Sequence, residues 1–287
     1  MLKTGVTVGC TVAMIAAAVL TVRLRHTLRT PSPLTGSEPF GERLAVTVSR
    51  TGGMLVGAYL TGLLTIGAGI RLMMRVLAAT SSDNVQGLQT EADEVVGKVS
   101  GGGSLFLIVI VGIGAAVAGL ALFSILRRWL PNQSLAAGLV GVAIGAGLLV
   151  RPVGLLTSAN SDFELVAPAA LAVALCIATL VLFGATFGVL VDRLAPRWPR
   201  PGWSLRGVVS VLPFAVLLPS PPVLVVVVIA VLVGTVAPSL RSQAEGDRSV
   251  PTVVEGVGAR RGRILVTALG GLGSLSILVA AGQVLAL

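Results

Sequence analysis

Residues 165–191 read LVAPAALAVALCIATLVLFGATFGVLV, a run of 27 residues without one charged side chain. A helix rises about 1.5 Å per residue, so roughly 20 apolar residues cross the ~30 Å hydrocarbon core of a bilayer. This run is therefore long enough to cross a membrane as a tilted helix. It predicts that the chain folds in lipid rather than in water.

Further apolar runs lie on both sides of it, at residues 5–22, 52–70, 103–126, 134–150 and 264–287. Hydrophobic residues make up 54% of the chain, charged residues 11%, and the mean hydropathy is +0.96, which is typical of membrane proteins. The runs are continuously apolar, which excludes the alternating pattern of a membrane β-barrel. We therefore predict an all-α fold, a multi-spanning bundle of transmembrane helices that forms a single integral membrane domain over residues 1–287.

Residues 207–238 are apolar but broken by the sequence Pro219-Ser220-Pro221-Pro222. The arm before this break contains Pro213, is about 13 residues long and would span only ~20 Å. Two short crossings with an outer turn give eight spans in total, which is the arrangement we predict. The alternative is seven segments, with this region as a re-entrant hairpin that does not reach the far side.

Basic and acidic connections alternate along the chain. Arginines gather in 23–51, 127–128, 193–206 and 239–263, whereas 71–102 and 151–164 hold six of the twelve acidic residues. Cytoplasmic loops carry the excess of Lys and Arg, so we assign the basic connections to the cytoplasm. They then hold 16 Lys and Arg against 6 Asp and Glu, while the outer parts hold 5 against 6.

This assignment predicts a protein of the cytoplasmic (inner) membrane with both termini outside. Residues 23–51 and 239–263 become cytoplasmic loops, the first with a short interfacial helix near 41–50, and residues 71–102 become an outer loop. Lys3 alone precedes the first run while arginines follow it, which is opposite to a cleaved signal peptide. The net charge of +9 follows from membrane orientation, so we expect no nucleic-acid partner.

Composition also bears on catalysis. Cys10 and Cys176 lie inside apolar runs and His26 is the single histidine, so we expect no metal and no cofactor. The chain has no Walker-type loop, no HExxH and no G-x-S-x-G motif. We expect a protein that is not an enzyme.

The outer connections hold charges that are candidates for a polar site. Arg71 and Arg75 lie four residues apart and share a helix face. Residues 90–98, TEADEVVGK, predict a short capped amphipathic helix. The candidate outer cluster comprises Arg71, Arg75, Glu91, Glu94, Lys98, Arg151, Asp162 and Glu164. Either it binds an anionic or zwitterionic solute or a partner, or the arginines snorkel and the loop helix lies on the membrane surface.

Small residues recur at helical spacing in five pairs: Gly5 and Gly9, Gly53 and Gly57, Gly141 and Gly145, Gly184 and Gly188, and Gly270 and Ser274. Such pairs let helix backbones approach closely in lipid. They indicate packing within the chain, or an interface with a second copy or with a partner membrane protein.

The interiors of the six uninterrupted apolar runs contain no Asp, Glu, Lys, Arg or His. Proton- and ion-coupled transporters usually keep such groups there. We therefore interpret the chain as a non-enzymatic structural or accessory membrane component. The alternative is a solute transporter or channel-like permeation protein, with the outer cluster as its mouth. A lipid-modifying enzyme would require Glu91, Glu94, Asp162 and Glu164 to converge.

Several strings resemble an uncharacterised family of polytopic membrane proteins from high-GC bacteria, over residues ~50–195. They are RLMMR at 71–75, EADEVVG at 91–97, GGSLFL at 102–107, RRWLP at 127–131 and NSDFEL at 160–165. Ser161 stands where the family pattern has proline. The family has no assigned activity, so the resemblance implies a polytopic membrane protein and no catalytic or binding residue.

Overall fold

The structure is a computed structural model. It describes residues 2–24, 38–81, 87, 100–127, 129–131, 133–149, 168–202, 204–218, 224–225, 227–229, 231–233, 235–236 and 253–286. These residues form helices joined by turns, and none of them is in a β-strand. The all-α prediction is confirmed.

The longer helices are α1 Leu2–Leu24, α2 Phe40–Thr80, α3 Gly101–Leu126, α4 Ser134–Leu149, α5 Ala169–Leu194, α6 Leu205–Ala215 and α7 Val253–Leu285. Five of them, α1, α2, α3, α5 and α7, are long and apolar enough to cross a bilayer. Helix α4 is apolar but shorter, and α6 has 11 residues with Pro213 inside it. The described residues therefore support a helical membrane protein, and the predicted total of eight spans is not confirmed.

Two helices begin well before the apolar runs that predicted them. Helix α2 has 41 residues, so it includes 71–80, which the sequence assigned to an outer loop, and 40–51, where the sequence predicted a cytoplasmic loop with a short interfacial helix near 41–50. It is about 60 Å long, roughly twice the hydrocarbon thickness. Helix α7 begins at Val253, inside the predicted loop 239–263. An apolar run marks the part of a helix that matches lipid, whereas backbone hydrogen bonds continue the helix beyond it.

Helices α2 and α3 each contain one turn of π-helix, at Gly62–Gly67 and Phe106–Val111. Such turns are rare and place one extra residue in the helix. A methyl group added to Gly62 would overlap the carbonyl oxygen of Gly112, and one on Gly67 would lie 2.5 Å from the carbonyl oxygen of Ile108. The two helices therefore run antiparallel with their backbones in contact at the π turns.

The chain divides into two compact units. The first comprises residues 1–25, 58–189 and 259–287, and the second comprises residues 26–57 and 190–258. In the first unit, the beginning of α5 packs on the end of α7 through an apolar cluster. Its buried members are Val173, Cys176, Ala280, Ala281 and Val284.

Helix α4 belongs to the first unit and contacts its neighbours at glycines, where no side chain separates the backbones. A methyl on Gly138 would overlap the carbonyl oxygen of Gly184 in α5. A methyl on Gly147 would overlap Gly273 in α7. Small residues thus place α4 against two helices at van der Waals contact of the backbones.

In the second unit, the first turns of α2 pack on the residues that follow position 190. A methyl on Gly53 would lie 2.6 Å from the carbonyl oxygen of Leu194. The Ser49 hydroxyl donates a 2.6 Å hydrogen bond to the carbonyl oxygen of Trp198, and Trp198 Nε1 donates one of 3.2 Å to the carbonyl oxygen of Ser210. Close backbone contact and hydrogen bonds to carbonyl oxygens hold this unit together.

Candidate functional site

The structure describes two members of the candidate outer cluster, Arg71 and Arg75. The other six lie outside the described residues: Glu91, Glu94, Lys98, Arg151, Asp162 and Glu164. The amphipathic helix predicted at 90–98 lies there too. The convergence of acidic residues that a lipid-modifying enzyme would require concerns the same six residues and also lies outside the described part of the chain.

Arg71 lies one turn beyond the π turn of α2 and is 3% exposed. Its Nε donates a 3.0 Å hydrogen bond to the hydroxyl of Ser104 in α3. Its Nη1 approaches the sulfur of Met74 at 3.8 Å, a weak acceptor. Its Nη2 is buried and has no hydrogen-bond partner within the described part of the chain. Arg71 is thus held in place while part of its guanidinium group stays unsatisfied.

Ser104 connects Arg71 to the beginning of α3. The Ser104 hydroxyl accepts the Arg71 bond and donates a 2.8 Å hydrogen bond to the carbonyl oxygen of Ser100. The Ser100 hydroxyl accepts a 3.0 Å hydrogen bond from the backbone N–H of Gly103, which makes Ser100 the N-cap of the helix. Arg71 is therefore anchored to the first turn of α3.

The positive charge at this place is uncompensated among the described residues. Arg75 repels Arg71 across one turn of α2, and its Nη2 is also buried without a hydrogen-bond partner there. The first turn of a helix adds partial positive charge. The described residues of the first unit include no Asp or Glu. We call Arg71, Arg75, Ser100, Ser104 and the first turn of α3 the Arg71 site.

Sequence reasoning found the two arginines because of their spacing, but missed the serines. Ser100 and Ser104 gain a role only when α3 is placed next to α2. One signal was available: Ser100 precedes a glycine run at the start of an apolar segment, which is a position typical of an N-cap. Sequence alone gave no sign that the Arg71 side chain would be buried.

Arg43 in the first turn of α2 is a second buried arginine, which the sequence analysis did not single out. It belongs to the second unit and is 8% exposed. Its Nε and Nη1 have no hydrogen-bond partner among the described residues. Nothing in the described structure shows what group would accept these bonds.

Several other buried hydroxyls of the first unit bond to carbonyl oxygens of their own helix. Thr65 donates to the carbonyl oxygen of Thr61 at 2.7 Å, and Thr179 donates to that of Leu175 at 2.8 Å. In the described part of the chain no three His, Cys, Asp or Glu residues come together as a metal site.

No family model matches the chain, and no similar protein was found among the curated proteins or the solved structures. The fold and the site therefore identify the class of the protein. It is a helical membrane protein with a buried arginine where the last turns of α2 lie beside the first turns of α3.

Proposed function

We propose that this protein is a non-enzymatic structural or accessory component of the cytoplasmic membrane, which crosses the bilayer several times with both termini outside. The observation that carries the proposal is the backbone contact of α2 and α3 at Gly62 and Gly112. Both glycines lie near the middle of their predicted apolar runs. A solute path between these helices would need space at this depth, which backbone contact does not leave.

The other helix pairs of the first unit support the same proposal. Helix α4 contacts α5 and α7 through glycine, and the fully buried Thr61 and Thr65 lie beside the crossing of α2 and α3. Interiors of this kind are packed and dry. They suit a protein that supports a membrane assembly.

An accessory role implies a partner in the bilayer, either a second copy or another membrane protein. Small-residue faces are where helices meet in lipid. Gly53, Gly57, Gly184 and Gly188 already contact backbone within their own unit, whereas added methyls on Gly5 and Gly9 would contact nothing within 4 Å.

The alternative function, a solute transporter or channel-like protein, is favoured by one observation. Arg71 is buried next to an apolar run, and charged groups in such places are costly and usually functional. In this alternative, Arg71 would meet an anionic solute at the outer mouth.

Cysteine accessibility separates the two functions. In a variant in which alanine replaces Cys10 and Cys176, single cysteines would be placed at Thr65, Ala116 and Thr80. Thr65 and Ala116 are fully buried in α2 and α3, whereas Thr80 is exposed at the end of α2. A membrane-impermeant maleimide should label the Thr80 variant and should label the other two only after denaturation. Rapid labelling at Thr65 or Ala116 in the folded protein would contradict the accessory role and support the transporter.

A further inference from the structure

We propose that the Arg71 site binds a phosphate-type oxyanion, which the unpaired Nη2 groups of Arg71 and Arg75 hold against the first turn of α3. This inference goes beyond the proposed function, because it applies equally to an accessory protein and to a transporter. It names a ligand class for a site whose described residues supply positive charge and donors but no acidic group.

The first step concerns the hydrogen bonds of Arg71. A guanidinium group has five N–H donors. Ser104 and Met74 engage Nε and Nη1, so both donors on Nη2 stay without an acceptor among the described residues, in a side chain that is buried. Leaving a charged donor unsatisfied away from water is costly. The arrangement therefore calls for an acceptor, and the Ser104 bond orients the guanidinium group before that acceptor arrives.

The second step concerns the sign and amount of charge. Arg71 and Arg75 bring two positive charges to one face of α2. Helix α3 is 26 residues long and presents its positive end to the same place, because Ser104 lies in its first turns. Only an anion relieves this repulsion. A group with one to two negative charges, such as a phosphate ester, matches two arginines and a helix N-terminus.

The third step concerns space and donors at the beginning of α3. The backbone N–H of Gly103 already donates a hydrogen bond to the Ser100 hydroxyl. Gly101 and Gly102 are exposed, and methyl groups added to them would contact nothing within 4 Å. The first backbone N–H groups of a helix have no partner within the helix. Two glycines here therefore leave an open approach to backbone donors beside the arginines.

Two sources supply this chemistry, a lipid headgroup phosphate and free inorganic phosphate. The test uses the full chain, delipidated in an uncharged maltoside detergent. One arm adds inorganic phosphate, with chloride at equal ionic strength as its control. The other arm adds phosphatidylglycerol, with diacylglycerol of the same acyl chains as its control. The readout is Tm from tryptophan fluorescence, with native mass spectrometry for bound lipid.

We expect one arm or both to raise Tm by about 5 °C at ligand concentrations near 100 times Kd. The arm that responds identifies the source. Arg71→Gln should weaken binding by at least about 30-fold, since it removes a buried charged partner of the ligand. Arg263→Gln removes the same charge from an exposed position and should bind as the unmodified protein does.

If Arg71→Gln does not fold, ligand binding by Arg75→Gln tests the proposal instead, because Arg75 is only partly buried. Ser104→Ala, which keeps both charges and removes the orienting hydroxyl, should weaken binding by about tenfold. No Tm rise in either arm would overturn the proposal, and so would equal binding by Arg75→Gln and Arg263→Gln. A carboxylate partner within the chain would also overturn the proposal. Such a partner would be identified if Glu91→Gln or Glu94→Gln lowered Tm as much as Arg71→Gln does, and if the double variant with Arg71→Gln lowered Tm no further.

Discussion

Thr21 in α1 and Thr186 in α5 are 165 residues apart in the chain, and their buried hydroxyl oxygens are joined by a 2.8 Å hydrogen bond. The Thr21 hydroxyl also donates to the carbonyl oxygen of Ala17 at 2.8 Å. A hydroxyl has one hydrogen, so Thr186 is the donor in the bond between the two threonines. Thr21 lies about one turn and Thr186 about two turns before the end of its helix, and the charge alternation predicts that both helix ends face the cytoplasm.

We expect Thr186→Val to lower the free energy of unfolding by about 0.5–1.5 kcal/mol, because interhelical hydrogen bonds in membrane proteins contribute modestly. Titration with a denaturing detergent, followed by tryptophan fluorescence, would measure the change. The matched control is Thr267→Val, since among the described residues exposed Thr267 bonds only to the carbonyl oxygen of Arg263 in its own helix. Equal effects of the two substitutions would show that the bond between α1 and α5 contributes nothing.

The glycine crossing of α2 and α3 gives a second prediction. An added methyl on Gly112 would lie 2.9 Å from the carbonyl oxygen of Gly62, so Gly112→Ala must push two backbones apart. We expect a loss of about 1–3 kcal/mol in the free energy of unfolding. Gly114→Ala, two residues along the same helix, meets nothing within 4 Å. It should instead stabilise the protein by about 0.5–1 kcal/mol through helix propensity.

Replacing Arg43 should raise the free energy of unfolding. Its Nε and Nη1 are buried without partners among the described residues, so the folded state carries an uncompensated desolvation cost. We expect Arg43→Met, which keeps the length of the side chain, to raise the free energy of unfolding by about 1 kcal/mol or more. Thermal unfolding would measure it, with exposed Arg206→Met as the control. Destabilisation by Arg43→Met would mean that the guanidinium group has a partner in the folded protein.

The charge alternation predicts the sides of the membrane independently of packing. In the background lacking Cys10 and Cys176, a cysteine at Asp83 should react with an impermeant reagent added to intact cells. A cysteine at Arg197 should react only after the membrane is permeabilised. Reaction of both from the same side would refute the assignment, and the Arg71 site could no longer be placed on the outer face.

The apolar runs predicted the existence of the helices well and their ends poorly. Residues 40–51, where only a short separate helix was predicted, begin α2, and residues 253–263 begin α7, although both segments contain charged and polar residues. Hydropathy registers the contact of side chains with lipid. Where a helix begins depends on backbone hydrogen bonds that polar residues form equally well.

Small-residue spacing predicted close packing without identifying the contacts. Gly184 and Gly188 contact α4 at Gly138 and Ser134, which belong to none of the predicted pairs, whereas an added methyl on Gly141 of α4 would meet only the Phe123 ring at 4.0 Å. Added methyls on Gly5 and Gly9 would contact nothing within 4 Å. Spacing identifies a face of one helix, whereas contact also depends on which helix lies beside it.

The candidate site, too, was predicted from the sequence only in part. The spacing of Arg71 and Arg75 on one helix face was visible in the sequence, and the pairing of Arg71 with Ser104 joins two ends that the charge pattern places on the same side. The burial of Arg71 was not visible, because it depends on the path of α3. No single-helix pattern contains that information.

The π turn at Gly62–Gly67 determines which way the rest of α2 faces. In a regular α-helix the nine residues from Gly62 to Arg71 turn by about 900°, which leaves the two on opposite faces. One extra residue in the turn rotates everything after it by about 100°. Gly62 and Arg71 can then both meet α3, as the contacts with Gly112 and Ser104 require. If the same residues formed a regular α-helix here, the arginine would swing away from its serine, whereas deleting one residue from the turn would leave a regular helix with both positions still facing α3.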